Sequence, residues 1–200
     1  MKKLAVLVLM ASAGVAMADK APTSGQALSG HGAIGTAVDA FADRAVTNIT
    51  LSGIPSFDPF GDANNFVGGV FIGANAQIVG IGWDVNLTAN SPSWLSELTV
   101  AIENTSQSGG VFLAPGTGDD FGGTRTYSSG GIVDLVGLGL NFTLGGDGIL
   151  RLEFFEGFDD FANGVDGFWN SGTLSIQWIP TPGALAILGL GGIAAGRRRR

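Results

Sequence analysis

The chain has no cysteine, a single histidine and only three basic residues outside its two ends. Each shortage closes off some chemistry. Without cysteine there is no disulfide, no thiol nucleophile and no cysteine-based metal site, so the core must hold by packing alone. His31 lies in Ser29-Gly30-His31-Gly32. One histidine cannot build a multi-histidine zinc centre. A Ser-His-Asp triad would depend on that residue, in a Gly-rich segment that reads as a solvated loop ahead of the β-rich region. Lys2, Lys3, Lys20 and Arg197 to Arg200 account for seven of the ten basic residues. Between the ends, Arg44, Arg125 and Arg151 face sixteen acids, a formal charge of −13 against −7 for the whole chain. Such a body repels phosphate polymers, which excludes nucleic acid as a partner, and it tolerates divalent cations. Phosphate-loop, Gly-x-Ser-x-Gly and His-Glu-x-x-His motifs are also missing.

What is present first is an address. Met1-Lys2-Lys3 is a positive start, Leu4 to Met10 is continuous hydrocarbon, and Ala16-Met17-Ala18 offers small residues to a signal peptidase. Residues 1–18 therefore read as a signal peptide with a signal helix, cleaved between Ala18 and Asp19. At the other end, Ile179 to Gly196 is an almost charge-free stretch of 18 residues closed by Arg197, Arg198, Arg199 and Arg200. As a helix it would span about 27 Å, slightly short of a bilayer core of roughly 30 Å. It predicts a marginal single transmembrane helix over about 183–196, with the arginines as a cytoplasmic stop.

Between the ends, residues 19–45 are small and polar and read as a flexible leader, with a weak strand near Ala33 to Val38. From Val46 the pattern is period two. Ile81, Trp83, Val85 and Leu87 alternate with Gly82, Asp84 and Asn86. Leu150, Leu152 and Phe154 alternate with Arg151 and Glu153; Leu174, Ile176 and Trp178 alternate with Ser175 and Gln177. Further β-prone segments are 46–51, 65–72, 95–103, 110–113, 131–136 and 140–144. Gly145-Gly-Asp-Gly148 reads as a hairpin turn. No segment keeps a helical apolar period for three turns, and 34 glycines disfavour helix interiors. The expectation is an all-β, antiparallel, jelly-roll-like sandwich over 46–178 that runs directly into the 179–200 tail.

Candidate chemistry is confined to carboxylates and tryptophans. Asp119-Asp120, Asp159-Asp160 and Asp166 lie in loop contexts. Clustered carboxylates suit Ca²⁺, a hard ion that takes oxygen ligands, although no EF-hand spacing is present. The same acids could serve a secreted hydrolase, and solvated acidic loops are the plain reading. Trp83 and Trp178 are in phase with core aliphatics. Trp94 and Trp169 are loop-flanked, open either to sugar stacking or to core packing. The four Asn-x-Ser/Thr triplets, at Asn48, Asn86, Asn104 and Asn141, are ordinary strand vocabulary.

The combination of a signal peptide, Pro180-Thr181-Pro182-Gly183, a short apolar helix and a terminal arginine cluster resembles the PEP-CTERM sorting domain of Gram-negative bacteria. In that family Pro-Glu-Pro is recognised by exosortase, a membrane cysteine protease. Here Pro180 and Pro182 match the prolines and Thr181 replaces the glutamate, as in the Pro-Thr-Pro-Gly version of planctomycetes. The resemblance covers 179–200 and implies export, transient anchoring in the inner membrane, processing, and association with the outer surface or extracellular polysaccharide. The body from about Phe66 to Trp178 also resembles P-domain-like and galactose-binding-like jelly rolls. That likeness rests on Gly82-Trp83-Asp84-Val85, Thr126 to Gly131, Phe158-Asp-Asp-Phe161 and Trp169 to Trp178. The leading expectation is a non-enzymatic surface or matrix protein without a cofactor. A carbohydrate- or calcium-binding module comes second and a hydrolase third.

Overall fold

The computed structural model describes residues 3–7, 33–40, 44–162 and 164–181. His31, the remainder of the signal segment, and the tail from Pro182 lie outside the described residues. Among the described residues no helix is long and apolar enough to cross a membrane.

Twelve strands form among the described residues: β1 (Lys3–Leu7), β2 (Ala33–Ala40), β3 (Ala45–Ser56), β4 (Phe66–Phe71), β5 (Gln77–Ala89), β6 (Leu98–Asn104), β7 (Gly109–Leu113), β8 (Gly123–Ser128), β9 (Val133–Asp134), β10 (Phe142–Thr143), β11 (Ile149–Glu156) and β12 (Gly167–Ile179). They make two packed sheets, a β-sandwich. One sheet has the order β1-β7-β6-β11-β4. The other has β10-β5-β12-β3-β2, with β8 and β9 also paired to β5. All pairs are antiparallel except β1 with β7. The sheet therefore takes in β2 and begins ahead of residue 46.

Period-two alternation builds the core. Ile49, Leu51, Ile81, Trp83, Val85, Leu87, Leu174 and Ile176 face Leu98, Val100, Ile102, Leu150, Leu152 and Phe154 between the sheets. Halfway along, two irregularities reset the alternation at one level. In β3, Gly53 has a φ of +61°, and the buried positions pass from Ile49 and Leu51 to Ile54 and Ser56. In β12, Trp169 pairs with Leu87 and Ser171 with Asn86, so Asn170 is an extra residue. That bulge turns Trp169 inward, where it is 0% exposed and packs edge-on against Phe154 at 5.2 Å. Of the two readings open for Trp169, core packing is the one the fold adopts, because a bulge changes which parity faces the core.

Three expectations are corrected. Arg151 and Glu153 do not face water, because residues 57–65 fold over that face. Glu153 accepts hydrogen bonds from Gly61 N at 2.6 Å and from Asn65 Nδ2 at 3.0 Å. Phe60 packs on Phe112 and Phe155 at 5.0 and 5.4 Å. The β-prone segments 131–136 and 140–144 shrink to the two-residue β9 and β10, while Thr126 to Ser128 belong to β8. Gly145–Gly148 is a tight turn, closed by Gly148 N to Gly145 O at 3.0 Å. It joins strands of different sheets rather than a hairpin.

Strand direction sorts the connections to two poles. Residues 57–65, 90–97, 114–122 and 157–166 gather at one end, here the loop pole. Residues 72–76, 105–108 and 144–148 lie at the other, where β12 ends at Ile179. Thr181 Oγ1 there donates to Ala74 O at 2.8 Å.

Candidate functional site

The loop pole concentrates buried carboxylates. Glu156 ends β11 in phase with Leu150, Leu152 and Phe154, so it continues the core stripe as a charged residue and is 1% exposed. Ser56 ends β3 on the opposing sheet and is also buried. Asp166 immediately precedes β12. Its amide donates to Ser56 O at 3.0 Å, and its Oδ1 accepts from Ser93 Oγ at 2.7 Å and from Phe161 N at 3.1 Å. Glu97 precedes β6 and caps its own turn through Trp94 N at 2.8 Å.

These acids raise one another's cost of ionisation. Burial pushes the Glu156 carboxyl up to about 8; Ser56 opposes the shift, and Asp166, Glu97 and Asp160 add to it. Burial also raises Asp166, against the Ser93 hydrogen bond and with Asp159. Glu97 is raised by burial, opposed by the Trp94 amide, with Asp160, Asp166 and Asp120 adding repulsion. The charges acting most strongly on all three are other carboxylates, and among the described residues no salt bridge reaches them. The Ser56 hydroxyl is the polar group that meets the Glu156 carboxyl, while Asp159 Oδ1 and Asp166 Oδ2 are buried without a hydrogen-bond partner.

The five aspartates singled out in the sequence divide. Asp160 and Asp166 lie near enough to Glu156 to raise it, and Asp159 acts on Asp166. Asp119 is committed elsewhere: its Oδ2 accepts from Tyr127 Oη at 2.6 Å and pairs with Arg125 at 3.1 Å. Burial, and then this hydrogen bond, holds the Tyr127 hydroxyl well above its ordinary range. Asp120 takes the Ser96 hydroxyl at 2.8 Å. The sequence reading missed Glu156, Glu97 and Ser56. For Glu156 the signal was available, since a glutamate at the i+2 position of Leu150-Leu152-Phe154 sits where the core stripe should continue.

An aromatic rim surrounds this pole. Phe158 is 63% exposed and Trp94 44%, with Phe121 and Phe161 exposed beside them. Leu95 N bonds Phe121 O at 3.0 Å, which ties the Trp94 and Phe121 loops together. Arg125 lies over the Phe121 ring at 4.8 Å.

No known family model matches the chain, and no curated protein or solved structure is significantly similar to it.

Proposed function

We propose that the chain is an exported, non-enzymatic surface or matrix protein, delivered by its signal peptide and sorted through its PEP-CTERM-like tail by an exosortase-type protease. The observation that supports it is the direction of β12. This 13-residue strand starts at Gly167 in the loop pole and ends at Ile179, one residue before Pro180. At about 3.3 Å per step its twelve steps separate the two by roughly 40 Å. A tail held in a membrane would leave the acidic, aromatic loops pointing outward, as a surface module requires. Glu156 and Asp166 are sealed from solvent, whereas a general acid and base must reach a substrate. Intact-mass spectrometry of the protein released by the native host tests the reading. A product spanning Asp19 to about Pro180 is expected. A chain ending at Arg200 in the released fraction sinks the sorting proposal.

A second reading, a glycan-binding module, is favoured by the rim of Trp94, Phe121, Phe158 and Phe161, because exposed rings at one pole offer stacking faces to sugars. With its body at −13, the preferred polysaccharide is a neutral one. Retardation in affinity gels cast with neutral polysaccharide, weakened by Trp94→Ala, is the expected result. Equal mobility of the wild type with and without polysaccharide ends this reading.

A further inference from the structure

Among the described residues no three acidic or imidazole side chains stand together at metal-ligand spacing. The larger unpaired resource of the fold is backbone, along the edges of the five-stranded sheet. β4 closes one side of that sheet, and among the described residues no strand pairs with its outer flank. On the other side β7 is covered by β1 alone, five residues in parallel, from Lys3 opposite Gly109 to Leu7 opposite Leu113. β1 lies within residues 1–18, the segment read as a signal peptide. Once that segment is gone, β7 is an edge as well. Edge strands are normally blunted by charge, proline or a bulge, because their free N–H and C=O groups template further pairing. Neither Phe66–Phe71 nor Gly109–Leu113 contains a charged residue or a proline. Phe71, the last residue of β4, is 72% exposed.

Both edges carry the same four residues: Gly68-Gly69-Val70-Phe71 in β4 and Gly109-Gly110-Val111-Phe112 in β7. The two strands run in opposite directions, since β4, β11, β6 and β7 alternate. We propose that β7 of one mature copy pairs with β4 of the next, antiparallel, so that the sheets of successive copies join head to tail. The occupant of each edge is a second copy of this chain, and in the precursor β1 blocks the growth. Alternation narrows the register. Phe66 and Val70 face the core in β4, as Val111 and Leu113 do in β7, and cross-strand partners share a face. Opposing Val70 to Val111 meets that condition. It also sets Phe71 against Gly110 and Phe112 against Gly69, a ring over a glycine in both directions. Pairing like edges, β7 with β7, leaves both β4 strands bare, whereas the head-to-tail order uses both edges and does not close. The pairing rests on the removal of residues 1–18 and needs nothing of the tail.

The test is sedimentation velocity on the full chain and on the form starting at Asp19, between about 10 µM and about 1 mM. The buried core cluster lies between Ile49 and Ile176, so removal of β1 leaves the core whole. The Asp19 form should build a concentration-dependent series that passes beyond the dimer, and the full chain should be smaller at every concentration. Bodies near −13 repel one another while the seam carries no charge, so added salt should lengthen the series. Phe71→Lys, at an exposed edge position, should abolish the series with circular dichroism unchanged. A peptide of residues 1–8, added in excess, should occupy β7 and shorten it. A monomeric Asp19 form at the highest concentration overturns the proposal. So does a Phe71→Lys protein that grows like the wild type, which would place the contact in the apolar tail. A species that stops at two overturns the β4–β7 order in favour of like edges, and equal association of the full chain overturns the capping by β1. Should Phe71→Lys fail to fold, the peptide decides: a series that it does not shorten refutes the seam. Whether the host removes residues 1–18 is read separately by intact mass, so failure of the signal reading and failure of the edge pairing stay distinct.

Discussion

Glu156 shows how one side chain couples packing to solution conditions. Burial holds its carboxyl up at about 8 in the fold, against 4.5 for the ordinary group. Between those values the folded chain holds a proton that the unfolded chain has lost. Stability is therefore greatest below about pH 4.5 as far as this group is concerned, and it declines as pH rises to about 8. The acids that face it, Asp166, Glu97 and Asp160, act in the same direction. Urea midpoints should fall between pH 5 and 8, and Glu156→Gln should flatten that slope while raising the midpoint at pH 8. A wild-type slope of the opposite sign would show that Glu156 ionises freely in the fold. Two tryptophans give the matching contrast. Trp169→Ala empties a fully buried site and should cost about 3–5 kcal/mol. Trp94→Ala, at the rim, should stay within about 0.5 kcal/mol. Denaturant melts of the two variants check both values.

Among the elements, β11 and β12 carry the tightest constraints. Arg151 on β11 holds Glu103 of β6 and Glu153 of its own strand beneath the 57–65 loop. Arg151→Leu leaves two buried carboxylates without a counter-charge and should cost about 3–5 kcal/mol, read as a shift in the urea midpoint. A triple change that adds Glu103→Gln and Glu153→Gln should recover most of it. On β12, Gly172 has a φ of +141°, and a Cβ there would drive into the Asp84 carbonyl oxygen. Gly172→Ala should therefore destabilise more than Gly146→Ala, where a Cβ meets open space. The same elements show what is legible in a sequence. Alternation located both strands and most of the core, because a period of two is local. The bulge at Asn170 and the cover over Glu153 were not legible. The first is settled by pairing with β5 and β3, and the second by a loop some ninety residues away. The candidate site fared similarly: Asp159, Asp160 and Asp166 stand out as a loop cluster, whereas Glu97 and Ser56 join them only through the meeting of strand ends.

At the scale of the whole molecule, the two poles are joined by β12 yet share no side chain. Thr181→Val removes only the hydroxyl's bond to Ala74 at the tail pole. Combined with Glu156→Gln at the loop pole, its effect on stability should add to within about 0.5 kcal/mol. A larger coupling energy in a double-mutant cycle would mean that the poles communicate through the strand. The acidity of the body is likewise a property of the whole. Removal of both ends would leave the domain near −13, a charge that favours solubility and sets the sign of its counter-ions.

The route from β12 into the tail has a mechanical consequence. The strand is bonded to β5 on one side and to β3 on the other along nearly its full length. A pull on Pro180 therefore runs along the strand axis and loads both ladders in shear. Their hydrogen bonds must then yield together instead of opening one after another like a zipper. A chain held at its tail and tugged at its loops would resist through its central strand, and the rupture force would be set where that strand is gripped on both sides.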